Sequence, residues 1–227
     1  MPLTKTGSIR CVWRQTRREG SSMIHFQVDM QDLTRIESAL GMMKDKTKYV
    51  LRAAINTTAK QTVTLLADEA NREYYISKAK VRKTLSIDRA TVGTLTAIVT
   101  SAEPVNELYD FKVSPRTYIR GSGVPRGYKG NVRRDKNAGS LVLKPGSGGD
   151  QYRAFVVKYK SGHMTVGQRV PGKRMKSQPD KEFVKSLLSP STPNMLGYEE
   201  GVYGVVEPQM YDMLQRNIQK QIRRFLG

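Results

Sequence analysis

"SIDRATVGTLTAIVTS", residues 86–101, is where the chain changes its period. Ahead of it, apolar residues return every three or four positions. Within it, β-branched residues cluster on both sides of a turn near Gly93, which predicts two antiparallel strands. Helices that come first, then a sheet with no β-α alternation, predict an α+β fold.

The helical segment just upstream is long. From Thr47 to Tyr74 the stripe Leu51, Ile55, Ala59, Thr62, Leu66 and Ala70 recurs at helical spacing, opposite a polar face with Arg52, Asn56, Lys60, Gln61 and Asp68. Small residues make up half of that stripe and suit close packing. "ISKAKVRKTL" predicts a short basic helix that Ser77 can cap. Nearer the start, Ile24, Phe26 and Val28 alternate as a strand, and Asp29 is placed to cap a helix carrying Leu33, Ile36, Ala39 and Leu40. Residues 1–22 carry Lys5, Arg10, Arg14, Arg17 and Arg18 against Glu19 alone and show no apolar period. They are expected as a basic N-terminal extension ahead of a single α+β domain over 23–227.

Downstream of the sheet, Pro115 opens "RTYIRGSGVPRGYKGNVRRDKNAGS". Arg116, Arg120, Arg126, Lys129, Arg133, Arg134 and Lys136 face only Asp135 there, and the stretch holds five glycines. Such a stretch cannot bury its charges or its unpaired backbone, so a long exposed basic loop over 114–140 is expected. "QYRAFVVKYK" turns through Ser161-Gly162-His163 into "MTVGQRV", a hairpin flanked by Lys158, Lys160 and Arg169. Pro171–Pro193 reads as irregular, with Phe183, Val184, Leu187 and Leu188 packing a short helical turn. Glu207-Pro208 is expected to open a closing helix with the stripe Tyr211, Leu214, Ile218, Ile222 and Phe225, and with Lys220, Arg223 and Arg224 at its C-terminal end. The expected whole is an antiparallel sheet packed by a long N-terminal helix and this C-terminal amphipathic helix.

Lys and Arg number 39 against 20 Asp and Glu, a formal charge of +19. That surplus draws the protein to polyanions or acidic protein surfaces. Cys11 is the one cysteine, so disulfides within the chain and Cys-based zinc sites are excluded. No run of about 18 apolar residues occurs, so no transmembrane helix is expected.

Catalytic constellations are equally absent from the pattern. His25 and His163 are the two histidines; neither lies in a metal-ligand spacing, and His163 reads as a turn residue. "GSGG" at 146–149 lacks the lysine of a phosphate-binding loop. Asp68, Glu69, Asp88, Glu199 and Glu200 read as solvated rather than paired as acid and base. A DNA-binding or DNA-coating basic protein is the competing reading, because Tyr118 and Tyr128 sit among the loop arginines as stacking rings would. No recognised nucleic-acid motif supports it.

The stretches "KYVLRAAINTTAKQTVTLLADEA", "YISKAKVRKTLSI", "AFVVKYKSGHMTVGQR" and "KEFVKSLLSPSTPNM", followed by the closing helix, together resemble the minor tail protein Z family of tailed bacteriophages. The sequence departs from the family pattern at "SPS" (189–191), where relatives carry "GPS". Residues 1–22 and much of Arg116–Gly139 lie outside the resemblance. What it implies is a non-enzymatic virion protein without cofactor or metal. Such a protein would act in tail completion and head-tail joining at the head-proximal end of the tail, and would be assembled in the host cytoplasm. The implied partners are further copies in a ring, a hexamer favoured, together with tail-tube, tail-terminator or neck proteins and non-specific contact with phage DNA. Arg116, Arg120, Arg126, Lys129, Arg133, Arg134, Lys136, Lys158, Lys160 and Arg169 are the expected subunit or DNA contacts.

Overall fold

The computed structural model describes residues 10–15, 21–27, 30–103, 105–119, 129–134, 141–142, 154–197 and 201–226. Its contacts divide the chain into two compact units. The first is Met1–Ala70, Lys78–Glu103 and Thr192–Gly227, and the second is Asn71–Ser77 and Pro104–Ser191. The architecture is α+β in antiparallel sheets.

In the first unit, strands β1 (Arg10–Gln15) and β2 (Ser21–Gln27) precede helices α1 (Met30–Leu40) and α2 (Thr47–Glu73). A 3-10 turn, Gly41–Lys46, joins the two helices. The 27 residues of α2 contain neither glycine nor proline, so nothing interrupts its ladder. The expected stripe is buried throughout, and Val50, Ala54, Thr58 and Ala67 are buried beside it, so the apolar band is wider than the spacing predicts. Two threonines bond back along the helix: buried Thr58 Oγ1 donates to the Ala54 carbonyl at 2.9 Å and half-buried Thr57 Oγ1 to Ala53 at 2.8 Å.

Helix α3 (Lys78–Lys83) buries only Val81. Two of its basic side chains return to α2, where Asp68 takes Lys78 at 2.9 Å and Arg82 at 3.8 Å, while Lys80 lies 4.0 Å from Glu103. The expected strands follow as β3 (Leu85–Asp88) and β4 (Thr96–Ala102), and the sheet order is β1-β2-β4-β3. Ala97, Val99 and Ser101 of β4 are buried in alternation. The positive φ of the β3–β4 turn falls on Leu95, not on Gly93. Asp29 lies outside the described residues. The first stretch of chain, expected as an extension without regular structure, contributes β1 and the opening of β2. Its pairing, Arg10↔Gln27 to Gln15↔Ser22, comes from a neighbour rather than from a pattern of its own.

The unit closes with α4 (Thr192–Leu196) and α5 (Val202–Leu226). Pro208 was expected at the helix start and lies inside α5 instead. A proline there costs about 3 kcal/mol. Helix before it buries Val202, Tyr203 and Val206, each contributing roughly 1.5–3 kcal/mol, so burial outweighs the lost bond. The buried stripe is Val202, Val206, Met210, Leu214, Ile218 and Ile222; Tyr211 is exposed and Phe225 half-buried.

The second unit is built from short strands: β5 (Asn106–Glu107), β6 (Lys112–Ser114), β7 (Lys129–Asn131), β8 (Leu141–Val142), β9 (Phe155–Lys158), β10 (Met164–Met175), β11 (Gln178–Ser186) and β12 (Leu188–Ser189). They form sheets β11-β10-β9, β6-β7-β8 and β12-β5. Leu108, Val113, Ala154, Val156 and Val166 make the core, with Tyr109, Val132, Phe155 and Leu187 packed on it. Where the sequence predicts a loop throughout 114–140, Lys129–Asn131 is strand and Arg133 bridges to Tyr74; residues 120–128 and 135–140 lie outside the described residues.

The largest correction is at Pro171–Pro193. It is not irregular with a helical turn but strand, β10 running on through Pro171 and returning as β11. Pairing is regular from Gly167↔Ser186 to Arg169↔Val184, then shifts before Arg174↔Glu182 and again before Met175↔Gln178. Pro171 falls inside the first shift and Pro179 inside the second, which is where a residue without an N–H is tolerated in a ladder.

Candidate assembly interface

The cations expected as contacts separate into two kinds. Arg116 is folded onto its own loop: its guanidinium lies 4.7 Å from the Tyr109 ring and donates to the carbonyls of Phe111 at 3.1 Å and Tyr109 at 3.2 Å. Tyr109 Oη in turn donates to the Arg116 carbonyl at 3.1 Å. Arg133 pairs with Glu73 at 2.7 Å and lies over Tyr74, 5.8 Å from its centroid. Arg134 donates from Nε to the Tyr74 carbonyl at 3.1 Å and covers Tyr75 at 4.4 Å. Lys112 lies 4.9 Å from that same ring. Arg169 sits 5.5 Å from Phe155. Each of these contributes cation–π attraction of about 0.5–1 kcal/mol and clamps a turn or strand end.

The second kind is unengaged. Lys129, Lys158 and Lys160 are exposed and have no ion-pair partner among the described residues. Arg120, Arg126, Lys136 and Tyr128 lie outside the described residues; Tyr118 is exposed.

The β9–β10 hairpin matches its sequence reading. Met164↔Lys158 to Gly167↔Phe155 are paired, Gly162 takes a φ of +85°, and Tyr159 N–H donates to the His163 carbonyl at 2.9 Å. His163 is a turn residue whose ring stacks on Tyr159 and whose Nε2 lies 3.2 Å from the Glu107 carboxylate. That link between strand β5 and the hairpin turn was missed, since nothing local marks Glu107. No group of three or more His, Cys, Asp or Glu able to hold a metal occurs among the described residues.

What the sequence reading passed over is the arm beyond Arg169. Between Pro171 and Lys181 every residue is exposed except the half-buried Met175. Lys173, Arg174, Lys176 and Lys181 stand there with Asp180 as the one acid. Lys173 packs on Phe183 at 4.4 Å, and Arg174 reaches the Asp180 carbonyl at 3.4 Å. A backbone-paired, cationic, solvent-facing hairpin presents a shaped surface without a core of its own. Its signal was available, as two strand-like runs around Lys176-Ser177, but the prolines masked it.

The family model of prophage minor tail protein Z matches residues 35–227. The chain belongs to this family. It is therefore a structural protein of the phage tail and a component of the virion. The match begins within α1 and runs through both units, so it covers the hairpin arm and the basic segment after Pro115, and leaves out β1 and β2. No curated protein and no solved structure shows significant similarity to the chain. No helix among the described residues is long and apolar enough to cross a membrane.

Proposed function

We propose that this minor tail protein completes the tail at its head-proximal end. In that reading it is non-enzymatic and joins tail to head as a closed homo-oligomeric ring, a hexamer favoured. The observation that carries the reading is the hairpin Arg169–Ser186, whose outer part, Pro171–Lys181, is exposed apart from the half-buried Met175 and carries four cations. A ring closes through unlike patches that repeat around an axis. A preformed arm supplies one such patch at low ordering cost, because its backbone is already paired. Its partners are a neighbouring copy and the tail-tube, tail-terminator or neck protein.

Complementation of tails made without this protein tests the reading. The variant Lys173→Glu/Lys176→Glu should keep its thermal transition and its helical signal yet fail to yield tails that join heads. Native mass spectrometry with the tail-tube protein should show a ring for the wild type. Normal joining by the variant, or monomers only in the presence of the tail tube, would overturn it.

A further inference from the structure

In the first unit, Lys46 at the end of the 3-10 turn, Tyr49 and Arg52 in the first turns of α2, and Gln221, Arg224 and Phe225 near the end of α5 line a cleft of about 470 Å³. Its lining holds three cations, two rings and an amide, and no carboxylate. Lys46 and Arg52 flank the Tyr49 ring at 5.9 and 6.0 Å.

The absence of acid extends well beyond the cleft. Thr47–Ala67 carries three cations and Met213–Gly227 four, and neither stretch contains Asp or Glu. The two stretches adjoin, since Asn217 on α5 donates to Thr58 Oγ1 at 2.9 Å and Gln61 Oε1 at 2.8 Å on α2. Asp45, 3.4 Å from Lys46, is largely exposed, and such a pair contributes little. Lys48, Arg52, Lys220, Arg223 and Arg224 have no ion-pair partner among the described residues. Like charges gathered on adjoining helices repel, and a bound polyanion relieves that repulsion.

We infer that this cleft and its flanking helix surfaces bind the phosphodiester backbone of duplex DNA. Arginine forks, ammonium groups, a glutamine amide and a tyrosine hydroxyl are the donor types that contact phosphates. At about 1.5 Å per residue, Arg52 to Lys60 and Arg216 to Arg224 each span about 12 Å. Cations spread over that length suit a row of anions; a single carboxylate would leave most of them uncompensated. Naming DNA as the row rests on the tail-completion reading, whereas the cleft's demand for a polyanion does not.

Titration of the full-length protein with a fluorescent 30-base-pair duplex across a salt series tests the inference. The variant Arg52→Gln/Arg224→Gln should bind at least tenfold more weakly. Its log–log salt slope should be shallower by about 1.8, at about 0.9 per lost phosphate contact. Lys173→Glu/Lys176→Glu, which tests tail joining, should leave most duplex binding intact, so the two readings fail separately. Lysine acetylation footprinting of the wild type needs no variant: DNA should protect Lys46, Lys48 and Lys220. Affinity unchanged within twofold in a folded Arg52→Gln/Arg224→Gln variant overturns the inference. So does the lack of protection at those lysines, or displacement of DNA by polyglutamate at equal charge concentration.

Discussion

Asn56 clasps the backbone of Ala90 from both sides: its Nδ2 donates to the Ala90 carbonyl at 3.0 Å, and the Ala90 N–H donates to its Oδ1 at 2.9 Å. One side chain on α2 thus pairs the chain just after β3 as a neighbouring strand would. Ala90 is 4% exposed, so its N–H and carbonyl are left without a partner when that side chain is removed. Each buried orphan costs about 1–3 kcal/mol. Asn56→Ala is expected to lower stability by about 2–4 kcal/mol in urea denaturation. Asn56→Asp keeps the bond from the Ala90 N–H but sets a carboxylate oxygen against the Ala90 carbonyl, so at neutral pH it should recover little of that loss. A wild-type midpoint for the alanine variant would show that the clasp contributes nothing.

Asn217 poses a different trade. Thr58 Oγ1 already donates to Ala54, so it can only accept from Asn217 Nδ2. Asn217→Asp therefore sets a carboxylate against an oxygen with no proton to offer, at a residue 8% exposed. Asn217→Leu removes the donor without adding charge. The isosteric change is the worse one, by about 2–3 kcal/mol at neutral pH. A buried carboxyl without a partner has its pKa raised on folding, so the aspartate deficit should narrow as the pH falls and the group takes up a proton. Equal stabilities of the two variants across an acid-to-neutral series would rule out this account.

Gly167 is the point where β10 passes between β9 and β11. A Cβ built there would come 2.5 Å from Val184 Cγ1, a separation that side-chain packing does not permit, and 3.0 Å from Val157 Cγ2, a tight one. Gly167→Ala should cost about 1–3 kcal/mol through overpacking. Adding Val184→Ala opens the tighter side, so the double variant should regain part of the loss. Thermal denaturation of the two single variants and the double variant checks the sign of that coupling; strict additivity would refute the clash.

Local patterns made the long helix, the β3–β4 pair and the Gly162 hairpin legible, because each depends on spacing within a few residues. What escaped the sequence was set from a distance. Strand β1 takes its form from β2, and Asn56 reads as one more polar residue until Ala90 stands beside it. Pro171, Pro179 and Pro208 act locally as breaks, and only the pairing of β10 with β11 and the burial of Val202 and Val206 overrule them. The candidate cations were identifiable by charge but not by state. Arg134 and Tyr75 are 59 positions apart, and no periodicity reveals that one lies on the other.

Arg116 provides the sharpest case of a cation already engaged by its own chain. It joins a ring contact to Tyr109 with two donated bonds to carbonyls, and Tyr109 Oη closes the circuit back to its backbone. A planar fork can serve two carbonyls while stacking; an ammonium cannot. Charge alone would predict Arg116→Lys to be silent and Arg116→Gln harmful. The latch predicts that both raise amide exchange through Tyr109–Arg116, by about tenfold for the loss of roughly 1.5 kcal/mol. Global stability should change little, since Arg116 is exposed. Hydrogen-exchange mass spectrometry separates the two accounts, for protection retained in Arg116→Lys would make the residue a surface charge and return it to the set of free contacts.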